Sequence, residues 1–155
     1  MSRAFVKEAE DAPAFEELPE RPVSQHPNFV TRKGLAAIDA EAERLRAEYT
    51  AAQATDDRAL LARVARDLRY WEARRLTAQL VPAPHDSDRV HFGSIVTIDR
   101  QDGRHQTFRI VGEDEADPAH GTLSHASPLG RALAGKSVGD VVQAGSGEAE
   151  IIAIK

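Results

Sequence analysis

Two apolar seams with helical spacing, separated by a short polar break, constrain this chain more than any other feature. Leu35, Ile38, Ala42, Leu45, Tyr49 and Ala52 follow one another at alternating steps of three and four, the period that keeps an apolar stripe on one side of a helix. Asp39, Glu41, Glu43, Arg44, Arg46 and Glu48 lie between them and give that helix a charged outer surface. Gln53-Ala54-Thr55-Asp56-Asp57-Arg58 then interrupts the pattern. A second seam runs through Leu61, Val64, Leu68 and Trp71 and drifts toward Leu76 and Leu80, as a straight helix drifts from a strict heptad. Arg75 falls near this seam, where it can snorkel or meet an acid of the first helix. Thr31 suits an N-cap, and Val81-Pro82-Ala83-Pro84 removes the donors a helix needs to continue. A helix of this length is marginal alone. The pattern therefore predicts an antiparallel hairpin over residues 31–81, a rod roughly 30–35 Å long, with Asp56 and Asp57 at its tip.

The flanks read differently. Residues 1–30 carry Pro13, Pro19, Pro22 and Pro27, a cluster of acids from Glu8 to Glu20 and no apolar period. Such a segment is expected to be a flexible or extended arm, tacked down by Phe5, Phe15 or Phe29. Beyond the linker Pro82–Asp88 the period switches to two. Ser94–Asp99 and Gln106–Val111 read as strands around the turn Asp102-Gly103, with a short third strand over Gly121–Ser124. Ser127-Pro128 pairs an N-cap with proline at the first helical position, opening a short helix through Leu133 that stops at Gly135. Asp140–Gln143 and Glu148–Ile154 close the domain around Gly145-Ser146-Gly147. The expected fold class is α+β, in three parts: the arm 1–30, the coiled-coil hairpin 31–81 and a β-sheet domain with a short helix over 82–155.

Composition narrows the chemistry. The formal net charge of −5 opposes general nucleic-acid binding while permitting a local basic patch. There is no cysteine, which removes disulfides and cysteine-based zinc sites and suits a cytoplasmic location. The first residues lack the apolar run of a signal peptide, and no stretch approaches the roughly 20 apolar residues of a membrane span. The six histidines contain no helical His-x-x-x-His pair, no phosphate-cradling glycine motif occurs, and no serine sits in a nucleophile motif.

What remains is the tip and a basic helix face. Asp56 and Asp57 can cap the second helix and favour its positive end. Alternatively, two carboxylates at the end of a rod can help hold a divalent cation, or orient its water, inside another protein's site. Two oxygen donors are too few for a metal site of their own. At 100° per residue Arg63, Arg66 and Arg74 share a face opposite the second seam, suited either to water or to RNA phosphates or an acidic protein channel.

The C-terminal run Val90-His91-Phe92-Gly93-Ser94-Ile95-Val96-Thr97-Ile98 is followed by Phe108-Arg109-Ile110-Val111-Gly112-Glu113-Asp114-Glu115-Ala116-Asp117, Ser127–Lys136 and Gly139-Asp140-Val141-Val142. In order and spacing these resemble the globular domain of the bacterial GreA/GreB transcription elongation factors. Thr31-Arg32-Lys33-Gly34-Leu35 and Glu72-Ala73-Arg74 resemble points on that family's two helices, so the likeness spans roughly residues 30–155 and leaves out the arm. The resemblance implies an FKBP-like domain that docks beside the secondary channel of RNA polymerase through the segment Ser127, Pro128, Leu129 and Arg131. It also implies a hairpin inside the channel, a basic face around Arg63 and Arg66 against the RNA, and no enzyme activity of the protein's own. Asp56 and Asp57 would assist the polymerase's magnesium in cleaving backtracked RNA at its 3′ end. The resemblance implies no intrinsic cofactor and no membrane contact, and the intramolecular hairpin makes a monomer the expected state. A proline isomerase follows only by fold analogy, and Phe92 and Phe108, the only aromatics of residues 85–155, are poor material for its pocket.

The tip departs from that family. Its pattern Asp-Leu-Ser-Glu-Asn-Ala-Glu-Tyr meets Ala54-Thr55-Asp56-Asp57-Arg58-Ala59-Leu60-Leu61 here. Asp57 lines up with the family's glutamate, Ala54 stands at its aspartate, and Asp56 is a substitute. The first helix is about ten residues shorter, near 15 Å of rod. Either docking shifts to compensate, or the chain occupies the channel as a regulator without strong cleavage.

Overall fold

A computed structural model describes residues 18–155; the expectations for Phe5, Phe15 and most of the acids of the arm lie outside the described residues. Helix α1 (Arg32–Gln53) begins where the Thr31 hydroxyl accepts the Gly34 N–H at 2.9 Å. Its seam buries Ile38, Ala42, Leu45 and Ala52, with Leu35 and Tyr49 half-buried. Helix α2 (Arg58–Thr77) runs back against it with Val64 buried and Leu61, Leu68 and Trp71 half-buried. The 22 residues of α1 make a rod of about 33 Å. Arg75 meets Asp39 across the two arms at 2.5 Å, and Arg46 meets Glu72 at 3.3 Å.

The second seam does not continue to Leu76 and Leu80. Leu76 is 87% exposed and Leu80 is also exposed. The helix ends at Thr77, before the prolines, because a partner from far back in the chain takes over its hydrogen bonds. Asn28 donates from Nδ2 to the Arg74 carbonyl at 2.7 Å, and the Gln79 N–H donates to the Asn28 carbonyl at 2.8 Å. The chain then leaves as β2 (Gln79–Leu80), parallel to β1 (Phe29–Val30). A periodicity argument sees only neighbours in sequence, so it cannot anticipate this two-stranded clasp.

Strands β3 (Ile95–Arg100) and β4 (His105–Val111) form the expected hairpin. Gly103 in their turn takes φ +82°, a conformation that favours glycine. Strand β5 (Thr122–Ser124) lies parallel to β4, after an unanticipated 3-10 turn over Pro118–His120. Helix α3 (Pro128–Leu133) and the strand pair β6 (Val141–Ala144) and β7 (Gly147–Ile154) complete the chain. The sheet order is β5-β4-β3-β7-β6, with a register shift between Thr97 and Ile98 where β3 meets β7. The alternate residues Val96, Ile98, Phe108, Ile110, Val142, Ala149 and Ile151 point to one side and join Leu123 and Leu133 in the core. That period-two burial is what the sequence pattern calls for in a sheet with one wet face.

Candidate functional site

The tip is a tight link between two helices. Ala54 caps α1 with its N–H directed at the Ala51 and Ala52 carbonyls, and the Thr55 hydroxyl donates to the Ala52 carbonyl at 2.7 Å. Asp57 is the N-cap of α2: its Oδ1 accepts the Leu60 N–H at 3.0 Å, and its carbonyl accepts the Leu61 N–H at 3.1 Å. One of the two tip carboxylates is thus committed to the helix it opens. Asp56 is exposed and makes no hydrogen bond or ion pair among the described residues. No group of three histidines, aspartates or glutamates that could hold a metal ion occurs among the described residues.

The basic face is smaller than its sequence spacing suggests. Arg63 is exposed, and Arg66 is half-buried with its guanidinium 3.3 Å from Asp67. Arg74, expected on the same solvated face, is only 2% exposed. The physical reason is position along the rod, not angle around it. At the level of Arg74 this face abuts the sheet domain, and the acids after β4 supply its countercharge. Arg74 Nε donates to Asp114 Oδ2 at 2.5 Å, Nη2 donates to Asn28 Oδ1 at 2.8 Å, and Glu113 stands 3.7 Å away. The Tyr70 hydroxyl donates to the other Asp114 oxygen at 2.5 Å. Burial, and then that bond to a carboxylate, push the Tyr70 phenol up to about 12.

Two further contacts complete this joint. The Thr31 hydroxyl that caps α1 also donates to Glu115 Oε2 at 2.6 Å. Gly112 lies so close to β1 that a Cβ would sit 2.4 Å from the Phe29 carbonyl oxygen. The three successive acids Glu113, Asp114 and Glu115 therefore hold the base of both helices. Sequence reasoning missed Asn28, Tyr70 and Asp114; the available signal was an arginine at the foot of a helix in a chain with a distant run of three acids.

The expected docking segment forms α3. Ser127 Oγ accepts the Gly130 N–H at 3.0 Å and donates to the Ser124 carbonyl at 2.7 Å. Pro128 and Arg131 are exposed, while Leu129 packs against the core. Gly130 is buried, and a Cβ there would meet the Ser124 carbonyl oxygen at 2.1 Å, so the close approach requires glycine. Beside it Phe92 packs edge to face with Phe29 and with His125, and Phe29 lies tilted against His125, with ring centroids 5.2–5.9 Å apart. Burial holds the His125 imidazole below its usual range.

The described residues form a helical hairpin set on a small five-stranded sheet, with Asp56 and Asp57 at the tip of the hairpin. The family model described as transcription elongation factor, GreA/GreB, C-terminal, matches residues 84–155. The transcription elongation factor GreB of Yersinia pestis is 34% identical over 143 residues, covering 79% of this chain and 84% of that protein. GreA 1 of Lactiplantibacillus plantarum is 33% identical over 150 residues, covering 83% and 96%. The chain belongs to the GreA/GreB family. Among solved structures, GreA factor homolog 1 (Gfh1) of Thermus thermophilus matches with a TM-score of 0.40 and 21% identity, over 84% of this chain and 99% of that one. No described helix is long and apolar enough to cross a membrane.

Proposed function

We propose that this protein binds RNA polymerase, places its hairpin in the secondary channel and regulates transcription there without strongly stimulating RNA cleavage. The observation that carries this reading is the tip. Asp57, the residue aligned with the family's glutamate, spends its carboxylate on capping α2 at 3.0 Å, and Ala54 occupies the aspartate position. Among the described residues, Asp56 keeps both carboxylate oxygens free and Asp57 only Oδ2, on a rod about 15 Å shorter than the family's by helical rise. Assisting a metal requires placement within a fraction of an ångström, so a shortened rod with one of its two acids tied to a helix end favours occupation over chemistry. On the same reading the curled sheet with α3 is an FKBP-like docking domain that meets the polymerase through Ser127, Pro128, Leu129 and Arg131. Arg63 and Arg66 face the RNA, the protein acts as a cytoplasmic monomer, and any magnesium involved is the polymerase's own.

The rival reading, a cleavage-stimulating elongation factor, is favoured by the names of its 33–34% identical relatives. Cleavage of RNA in stalled, backtracked elongation complexes separates the two, with binding measured in parallel. Tight binding with cleavage at background supports the regulator. Rapid cleavage that Asp56→Ala/Asp57→Ala abolishes while binding persists overturns it and installs both aspartates as assistants of the polymerase magnesium.

A further inference from the structure

The segment just before the clasp lies along α2, outside the part of the chain that resembles the family's hairpin. Leu18 and Pro19 line a shallow groove with Ala62 and Ala65. Glu20 accepts from Arg69 Nε and Nη2, at 3.0 and 2.5 Å, and that bond holds its carboxyl below the usual range. Arg21 stacks its guanidinium 3.9 Å from the centre of the Tyr70 ring and stands 3.5 Å from Asp67. The segment thus covers one stripe of the rod, Ala62, Ala65 and Arg69, with Arg66 close enough to lower Glu20 further.

Its polar attachments are made by side chains. Each hydrogen bond or ion pair given above between Glu20 or Arg21 and α2 is made by side chains, several of them largely exposed. Among the described residues, the backbone-to-backbone bonds into the clasp begin at Asn28. Exposed ion pairs of this sort are weak and screened by salt. Asn28, by contrast, is buried and tied to Arg74. A buried anchor at Asn28 is therefore joined to a cover whose ion pairs are exposed, and the cover lays a further segment of the chain along the flank of a two-helix rod.

We propose that residues 18–22 are a self-inhibitory strap, seated on the Ala62/Ala65/Arg69 stripe in the free protein and displaced when α2 engages RNA polymerase. Glu20 occupies the stripe's arginine as an acidic surface of the polymerase would, so the strap and the polymerase compete for one face of the rod. This rests on the polymerase-binding reading above.

Two full-length variants test it by titration against core RNA polymerase. Glu20→Ala/Arg21→Ala removes the polar attachments and is expected to tighten binding several-fold. The native chain has no cysteine, so Pro19→Cys/Ala62→Cys places its only two thiols across the groove. Joined by a short dithiol-reactive linker, this variant is expected to bind at least tenfold more weakly than the same protein before linking. The strap is refuted if wild type binds and both the polar variant and the linked protein bind equally well. If neither wild type nor either variant binds the polymerase, the proposed function itself falls, and the strap with it.

Discussion

Arg74 and Arg75 are neighbours in sequence, and each meets an aspartate at 2.5 Å. Their surroundings differ: Arg74 and Asp114 are 2% and 11% exposed at the side chain, whereas Arg75 and Asp39 are 48% and 52% exposed. Breaking a buried pair strands a charge out of water, at about 3–5 kcal/mol, while an exposed pair contributes about 0–1 kcal/mol. In Asp114→Asn the amide still accepts one hydrogen bond, and Glu113 at 3.7 Å offers partial countercharge, so the expected loss falls to about 2–3 kcal/mol. For a chain of this size that lowers the melting temperature by roughly 4–12 °C. Asp39→Asn should cost less than about 1 kcal/mol. Urea unfolding followed by circular dichroism and by fluorescence of Trp71, the only tryptophan, measures both. An Asp114→Asn variant no less stable than Asp39→Asn would refute the argument that burial, rather than contact distance, sets the strength of the joint.

Three other outcomes follow from the same geometry. Gly112→Ala should destabilise by about 1–3 kcal/mol, because the added Cβ would lie 2.4 Å from the Phe29 carbonyl oxygen; calorimetry and loss of amide protection at Gln79 would register it. Asp57→Ala should cost about 1 kcal/mol through the lost N-cap, whereas Asp56→Ala should leave the unfolding midpoint unchanged. Burial lowers the His125 pKa in the folded state, so the unfolded chain binds more protons between that value and the ordinary one near 6.5. Stability from this group is therefore complete above about pH 6.5 and declines as pH falls toward the folded value, and His125→Gln should flatten that part of the profile.

The elements were legible in the sequence wherever a local rule sufficed. A seam of period three to four produced α1, period-two runs bounded by Asp102-Gly103 and Gly145-Ser146-Gly147 produced the two strand pairs, and Ser127-Pro128 marked the start of α3. The end of α2 was not legible. Periodicity carried it to the prolines, but Asn28 and β1 arrive from 46 or more residues away and end it at Thr77. The same distance hid the joint, since the bonds from Arg74 and Thr31 to Asp114 and Glu115 span 40 and 84 residues.

The burial of Arg74 alters how the rod's charge should be read. On spacing alone, Arg63, Arg66 and Arg74 shared one face, suited either to water or to RNA phosphates or an acidic channel. One of them fastens the rod to its base, Arg66 is partly neutralised by Asp67 at 3.3 Å, and only Arg63 keeps an exposed charge without a partner among the described residues. That face of the rod has little free positive charge for gripping phosphates. The rod instead has a rigid base, whose buried ion pair and parallel clasp fix the angle at which the hairpin leaves the sheet domain. Stiffness at the base matters because a small angular error there is multiplied over about 33 Å of helix: a swing of about 10° moves the tip by roughly 6 Å. A protein that only fills a channel tolerates such a displacement better than one that must place a carboxylate against a metal. Loosening the joint with Asp114→Asn should therefore leave polymerase binding within a few-fold of wild type if occupation is the mode of action. A loss of activity with binding intact would show instead that tip placement is the quantity the joint protects.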